Sequence, residues 1–244
     1  SIAVTSSVNG SGTFDIPVQF SGPITVNATS ASNPNNKKTV TLTVSKRDLT
    51  VEDFGTTTII AHYTGSDQGV IEIRVPGSSD KMIVKYNGED SRPKNVGSYA
   101  ITLHYDGNDV YNETATGGIN IGTYIVNKVP LTLNTDGSTA APKTYDGTTA
   151  ATITGIAFNG LVNGQTLSID TDYTVTNEIF NSANVQEATT VTATVTLTDS
   201  EIAKNYSLPN GVLSILQTIN KASATGVSQT YEVVKNHAQD YSFD

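Results

Sequence analysis

Residues Thr190–Thr198 read TVTATVTLT, and this stretch decides the fold class. Its apolar residues alternate with five threonines: Val191, Ala193, Val195 and Leu197. Because successive side chains of a β-strand point to opposite faces, the alternation predicts a strand with an apolar inner face and a hydroxyl-bearing outer face. The segments Thr39–Val44 and Tyr99–Tyr105 repeat the pattern, so the chain contains several such strands.

The composition around these segments favours an all-β protein. Threonine, glycine and asparagine are abundant, and the chain has one Met and no Trp. Such a composition is typical of β-branched strands joined by polar turns. Turns are predicted at five Asn-Gly or Asp-Gly pairs: Asn87-Gly88, Asp106-Gly107, Asp136-Gly137, Asp146-Gly147 and Asn163-Gly164. We expect tandem small β-sandwich or β-grasp-like modules, with one short helical turn over Asp199–Tyr206.

A junction phrase occurs three times and predicts how the chain is divided. It reads VSKRDLTV from Val44, VNKVPLTL from Val126 and INKASATG from Ile219, at intervals of 82 (126 − 44) and 93 (219 − 126) residues. Recurrence at this spacing is typical of tandem modules. The predicted modules are 1–46, the C-terminal part of an upstream β module; 47–128 and 129–221, two full modules; and 222–244, the start of a further β module. We expect the chain to be a segment of a longer array.

Charge and cysteine content exclude several classes of function. The net charge of −9 would repel phosphate backbones and anionic membrane surfaces, so we expect no nucleic-acid partner. No apolar run is long enough to cross a bilayer, and we expect no direct membrane insertion of this segment. The absence of Cys excludes disulfides, thiolate metal sites and thiol nucleophiles.

Carboxylates cluster at two places where an ion could bind. Asp106, Asp109 and Glu113 lie in one short loop, and Asp170 and Asp172 flank Thr171. These oxygen ligands suit Ca²⁺, but they lack the spacing of an EF-hand loop. The alternative is that both places are turns whose side chains bond local backbone. Calcium is the one ion left open, and no other cofactor is expected.

Histidines and catalytic motifs give no sign of an active site. His62, His104 and His237 are far apart in sequence, and none has a second His or Cys at metal-ligand spacing, so surface or sheet-edge positions are expected. No G-x-S-x-G phrase occurs. Spacing alone leaves paired carboxylates open, but the predicted loops are too short to build a cleft. We predict that the chain is not an enzyme.

The strongest local motif is Tyr145-Asp146-Gly147. Asp-Gly favours a tight turn, and the preceding Tyr can lay its ring on the core. A Tyr followed by Asn-Gly or Asp-Gly also occurs at Tyr86 and Tyr105, which favours a structural role. We therefore predict a turn motif here and no binding site.

Longer motifs carry a resemblance to known families. KTYDGTTAATITG at Lys143–Gly155, followed by IAKNYSL at Ile202–Leu208, resembles the YDG module of large bacterial surface proteins. VKYNGE at Val84–Glu89 and RPKNVGSYAI at Arg92–Ile101 resemble the MBG module that often neighbours it. One departure is Gln186, which stands after Asn184-Val185 where YDG modules often have Gly. The resemblance implies an exported, adhesin-like protein whose modules have no known catalytic activity.

From this resemblance we expect an extracellular, bacterial cell-surface segment that acts as a semi-rigid stalk, with neighbouring modules of the same chain as its partners. The alternative is a module that binds a host glycan or matrix protein through exposed aromatic side chains. Five tyrosines could stack on sugars, although tyrosines in small modules without Trp usually serve as core or hairpin residues: Tyr111, Tyr124, Tyr173, Tyr231 and Tyr241. A further hypothesis is that Thr13–Lys46 and the tail from Ser228 are half-modules whose edges pair between molecules.

Overall fold

A computed structural model describes residues 2–6, 10–14, 22–29 and 32–224 of the chain. This described part is built from short β-strands, and its helices are two single 3-10 turns, Val51–Asp53 and Ala203–Asn205. The predicted all-β fold is confirmed, and the helical turn predicted within Asp199–Tyr206 is the 3-10 turn Ala203–Asn205. Among the described residues, no helix could span a membrane.

The first four strands form two antiparallel ribbons. Their bounds are β1 (Ile2–Ser6) paired with β2 (Gly10–Phe14), and β3 (Gly22–Thr29) paired with β4 (Lys37–Val44). Strand β4 contains the predicted strand Thr39–Val44. The tail from Ser228, invoked for pairing between molecules, lies outside the described residues.

The next four strands form a mixed sheet in the order β5-β8-β7-β6. Their bounds are β5 (Thr57–His62), β6 (Ile83–Tyr86), β7 (Gly97–His104) and β8 (Ile119–Asn127). Strands β5 and β8 run parallel, from Thr57 opposite Gly122 to His62 opposite Asn127, whereas the other pairs are antiparallel. The alternation predicted for Tyr99–Tyr105 is confirmed, since Ile101, Leu103 and Tyr105 are buried on one face.

The remaining nine strands of the described chain form small sheets. Their bounds are β9 (Val129–Pro130), β10 (Thr132–Ala140), β11 (Lys143–Thr144), β12 (Ile153–Asn159), β13 (Tyr173–Phe180), β14 (Thr190–Leu197), β15 (Tyr206–Ser207), β16 (Val212–Leu216) and β17 (Ile219–Asn220). Strand β10 pairs with β12, and β14 lies between β13 and β16. Strands β9 and β15 pair in parallel, as do β11 and β17. The strand predicted from TVTATVTLT is β14, whose Val191, Ala193 and Val195 are buried.

One predicted turn is wrong. Asp136-Gly137 lies inside β10, so the strand runs straight through it. A Cβ at Gly137 would lie 2.7 Å from the Ala157 Cβ on the paired strand β12, so glycine is required there for close strand approach and not for a bend. The other four pairs contain residues with positive φ, as the turn prediction requires.

The described residues pack as two compact units. One contains those up to Leu133 together with Phe158–Thr174 and Val195–Gly211; the other contains Asn134–Ala157, Val175–Thr194 and the described residues from Val212. This division does not follow the boundaries drawn at the junction lysines. The modules 1–46, 47–128, 129–221 and 222–244 stay predictions based on the repeated phrase.

Candidate functional site

Two buried tyrosines, one before and one after Lys128 in the sequence, pack against each other. Both belong to the compact unit that contains the described residues up to Leu133. Tyr63 and Tyr206 are 3% and 1% exposed, and their rings meet edge to face with centroids 5.5 Å apart. Gln165 bridges them: its Nε2 donates to the Tyr63 hydroxyl at 2.7 Å, and its Oε1 accepts from the Tyr206 hydroxyl at 2.5 Å. The Tyr206 hydroxyl also accepts the Val162 N–H at 3.1 Å. Burial raises the pKa of Tyr206, so its hydroxyl remains a neutral donor.

Asn205 makes a second bridge at the same place. Its side chain is fully buried, and the 3-10 turn Ala203–Asn205 positions it. The Asn205 Oδ1 accepts the Val96 N–H at 2.8 Å, and its Nδ2 donates to the Glu201 carbonyl at 2.9 Å and to Asn95 Oδ1 at 3.3 Å. A buried amide bonded on both its donor and acceptor sides stabilises one arrangement of the chains around it.

Backbone pairing and the buried apolar cluster also connect residues before and after Lys128. Strand β9, which follows Lys128, pairs in parallel with β15, and the Leu131 N–H donates to the Ser207 carbonyl at 2.7 Å. Leu131 and Tyr206 belong to the same buried apolar cluster as Ile101 and Leu103. We call the following six residues the Lys128 joint: Tyr63, Asn95, Val96, Gln165, Asn205 and Tyr206.

The Lys128 joint was not predicted from the sequence. Asn95-Val96 and Asn205-Tyr206 lie in the motifs that carry the family resemblances, yet nothing in the spacing shows that they meet. Their contacts join residues 109 and 110 positions apart. The available signal was a Lys-Asn pair in each motif, Lys94-Asn95 and Lys204-Asn205, and it pointed to a family and not to a contact.

The Tyr145-Asp146-Gly147 motif forms a turn held by its carboxylate. Asp146 accepts hydrogen bonds at 2.8 Å from the Lys143 ammonium and from both the N–H and the hydroxyl of Thr148. The Lys143 bond, helped by those from Thr148, lowers the pKa of Asp146 to about 2. Gly147 has φ +81°, which favours glycine. The motif is therefore a turn in the structure.

The predicted packing of Tyr145 on the core is wrong. The side chain is 48% exposed, and the residue is attached through its backbone N–H, which donates to the Asn220 carbonyl at 2.8 Å. Because the Asp146 hydrogen bonds hold the turn, the ring is not needed to anchor it. Tyr145 instead lines a surface cavity, together with Asn184, Gln186 and Lys221.

The first set of candidate calcium ligands points to solvent. Asp106, Asp109 and Glu113 are all exposed. Their loop is shaped by Asn108, whose Oδ1 accepts two backbone N–H groups of the same loop at 2.8 and 2.9 Å. Within the described ranges, no group of three or more His, Cys, Asp or Glu side chains is placed to hold a metal ion.

The second set forms a turn. Asp170 has φ +65° and is exposed, whereas Asp172 is only 5% exposed. The Asp172 Oδ1 accepts the Ser200 hydroxyl at 2.5 Å, and its Oδ2 accepts the Ser168 N–H at 2.8 Å. Both carboxylate oxygens of Asp172 therefore already have protein donors.

Asp80 organises the loop around Asn108, and its role was not predicted from the sequence. Its Oδ2 accepts the Tyr105 hydroxyl at 2.7 Å and the Asn108 amide at 2.9 Å. These donors lower the pKa of Asp80, while burial and the Asp80 contact raise the pKa of Tyr105 to about 12. Asp80 is 25 positions from Tyr105, so no local pattern indicated the pair.

The two histidines within the described residues each end a strand. His62 ends β5 and is exposed. His104 ends β7, and its Nε2 lies 3.3 Å from the Thr102 hydroxyl. His237 lies outside the described residues.

Three of the tyrosines suggested as sugar platforms are unavailable. Tyr111, Tyr124 and Tyr173 are 4%, 7% and 3% exposed, so their rings belong to the core. A buried ring cannot stack on a ligand, so these three are core residues and do not serve the glycan-binding alternative. Tyr231 and Tyr241 lie outside the described residues.

Millimolar calcium is expected to leave the thermal unfolding midpoint unchanged to within about 1 °C, because an ion that does not bind the folded state cannot stabilise it. We expect no binding because Asp106, Asp109 and Glu113 point to solvent and both carboxylate oxygens of Asp172 already accept hydrogen bonds from the protein. Differential scanning calorimetry with calcium or with chelator measures this. A rise of several degrees that Asp106→Asn or Asp170→Asn removes would contradict the expectation.

Acid is expected to destabilise the chain through Asp53. Arg47 binds both carboxylate oxygens of Asp53, at 2.6 and 3.0 Å, and lowers its pKa from 3.8 to about 2. A depressed carboxyl pKa contributes stability above its unfolded value, and this stability is lost as pH falls from about 4 through 2. Allowing for solvent around Arg47, we expect about 1 kcal/mol.

Urea titrations of the parent and Asp53→Asn at pH 5 and pH 2 measure this contribution. The parent should lose about 1 kcal/mol more than the variant over that interval, because the other carboxyl groups titrate in both proteins. Equal losses would show that the Arg47 contact does not stabilise the fold.

The comparisons with known proteins bear on the second half of the chain. A family model described as the YDG domain matches residues 126–212. No curated protein and no solved structure matches the chain. The matched range contains the Tyr145-Asp146-Gly147 turn and the Gln165, Asn205 and Tyr206 side of the Lys128 joint. The predicted YDG resemblance is thus confirmed for residues 126–212, the range that matches the YDG domain model.

Proposed function

We propose that this chain is a non-catalytic structural and adhesive segment of a bacterial surface protein, in which tandem β modules form a semi-rigid stalk. The Lys128 joint carries the proposal. Bending there would expose the buried Tyr206 ring and break the Asn205 hydrogen bonds, so free motion about a linker is disfavoured. Modules fixed to their neighbours in this way extend the reach of an array without added linkers.

The proposed function implies a location and partners for the chain. We propose an extracellular position on the bacterial cell surface, with residues 47–128 as an MBG module and neighbouring modules as the principal partners. The net charge of −9 disfavours nucleic acid and anionic lipid as partners. No cofactor and no catalytic step are needed for this role.

Distance measurements across the joint test the stalk. The chain lacks Cys, so Ser91→Cys and Thr166→Cys introduce two exposed label sites on opposite sides of Lys128. Pulsed electron paramagnetic resonance of the spin-labelled pair should give one narrow distance distribution. Adding Tyr206→Ala should broaden it, since that change removes the ring at the centre of the joint.

A matched control keeps this measurement specific. Tyr145→Ala removes the same side chain at an exposed position outside the joint and should leave the Ser91–Thr166 distribution unchanged. A broad distribution in the parent pair, with the fold intact by circular dichroism, would refute a semi-rigid stalk.

The alternative function, binding of a host glycan or matrix protein, is tested separately. The folded chain is applied to arrays of mucins, glycans and matrix proteins, with and without calcium. The absence of a binding signal both with and without calcium supports the spacer role. A saturable signal that free ligand competes away would make the chain an adhesive module instead.

A further inference from the structure

Tyr63 and Tyr145 occupy matching places in the chain. Tyr63 follows β5, and its N–H donates to the Asn127 carbonyl at 2.9 Å; Tyr145 follows β11, and its N–H donates to the Asn220 carbonyl at 2.8 Å. In both cases the tyrosine's strand runs parallel to the strand that ends at the asparagine. In both cases the residue that follows the asparagine is a junction lysine, Lys128 or Lys221.

A second feature matches as well. Asn95-Val96 precedes β7, which is antiparallel to β8, and Asn184-Val185 precedes β14, which is antiparallel to β16. Strand β16 leads directly into β17 and Lys221, as β8 leads into Lys128. Lys128 and Lys221 therefore each follow the same arrangement of a tyrosine and an Asn-Val pair.

The two arrangements differ in what covers them. Tyr63 is 3% exposed because Gln165 and Tyr206, which come after Lys128, lie on it. Tyr145 is 48% exposed and borders an open cavity. We call this the Lys221 cavity, defined by five of its lining residues: Tyr145, Asn184, Val185, Gln186 and Lys221.

We infer that the Lys221 cavity is the acceptor half of a second joint, and that its occupant is a β module following Lys221 that presents an Asn-Tyr pair equivalent to Asn205-Tyr206. This inference deepens the proposed stalk function and rests on it. The same contact would then join successive modules at Lys128 and at Lys221.

The chemistry of the cavity fits this occupant. At the Lys128 joint the incoming groups are a tyrosine ring, which packs on Tyr63, and an asparagine amide, which accepts the Val96 N–H. The Lys221 cavity offers an exposed tyrosine ring and an Asn-Val backbone in the matching positions. The chain itself also forms part of the cavity wall at Lys221, so a module that follows is delivered to it, as the segment after Lys128 is delivered to Tyr63.

Thiol accessibility at the cavity tests the inference. Gln186→Cys places the sole thiol of the chain at an exposed position on the cavity wall and keeps Tyr145. Its labelling by a thiol reagent is compared in the parent chain and in an extended chain, in which a second copy of residues 129–221 follows Lys221. We expect labelling to slow about tenfold in the extended chain, which corresponds to a joint closed about ten to one. Ser91→Cys should label equally in both chains.

Two variants of the extended chain identify the contact. Tyr145→Ala, or Gln165→Ala in the appended copy alone, should restore fast labelling of the Gln186→Cys thiol. Neither Tyr145 nor Gln165 belongs to the buried hydrophobic core. Unchanged labelling in the extended chain, or protection that neither variant relieves, would overturn the inference. Protection of the parent that rises with protein concentration would overturn it as well, because the occupant would be a second copy. The spin-label measurement separates this failure from a failure of the proposed function. A narrow Ser91–Thr166 distance distribution, together with an unprotected thiol at the Lys221 cavity, would support the stalk and reject only the second joint.

Discussion

Tyr206→Ala is expected to lower the free energy of unfolding by about 3–5 kcal/mol, the range for removal of a fully buried aromatic ring. The ring is 1% exposed, packs edge to face on Tyr63, and its hydroxyl bonds Gln165 and the Val162 N–H. Truncation leaves a cavity and also removes partners from buried polar groups, so both costs apply. Urea unfolding followed by circular dichroism measures the loss.

Two further variants separate the causes. Tyr206→Phe keeps the ring and removes the hydroxyl, so its cost should be about 1–2 kcal/mol. Tyr145→Ala removes the same side chain from a position that is 48% exposed, and its cost should be within about 0.5 kcal/mol. If Tyr206→Ala and Tyr145→Ala were equally costly, the ring at the Lys128 joint would not hold the structure together.

Gly122→Ala is expected to be the second severe change, with a loss of about 3 kcal/mol or more, since a backbone clash adds to strain at positive φ. Gly122 has φ +138°, and a Cβ there would lie 1.8 Å from the Thr57 carbonyl oxygen. That oxygen belongs to the backbone of the paired strand β5, so it cannot move aside without separating β5 from β8.

Gly88→Ala is the matched control for backbone strain. Gly88 has φ +84°, but a Cβ there would meet nothing within 4 Å. Its expected cost is therefore only about 1 kcal/mol, for the unfavourable φ alone. The same urea titration compares both variants, and similar losses would mean that the Thr57 contact is relieved by a shift of the strands.

Local patterns predicted the local structure of this chain well. Alternation in TVTATVTLT and in Tyr99–Tyr105 predicted β14 and β7, because burial of one strand face is written directly in the sequence. The Asn87-Gly88 and Asn163-Gly164 turns followed from the tolerance of these residues for positive φ. Asp136-Gly137 failed because the same glycine can also serve close strand approach, and only the partner Ala157 distinguishes the two uses.

Long-range contacts were beyond local patterns. Asn205 is a polar residue in a short turn, and its full burial depends on Val96, which is 109 positions away. The exposure of Tyr145 and the burial of Tyr111 likewise depend on what packs over each ring. The repeated lysine phrase located the places where the chain crosses from one predicted module to the next, but it carried no information on which side chains meet there.

The parallel pairing of β5 and β8 has a mechanical consequence. A tensile load that enters the sheet at Thr57 and leaves at Asn127 pulls these two neighbouring strands in opposite directions along their own axes. The six paired positions from Thr57–Gly122 to His62–Asn127 are then loaded together in shear. The antiparallel hairpin of β6 and β7 would instead peel apart one pair at a time if pulled from its open end. In a stalk under tension, the two strands that transmit the load would thus be joined by pairs that must break together.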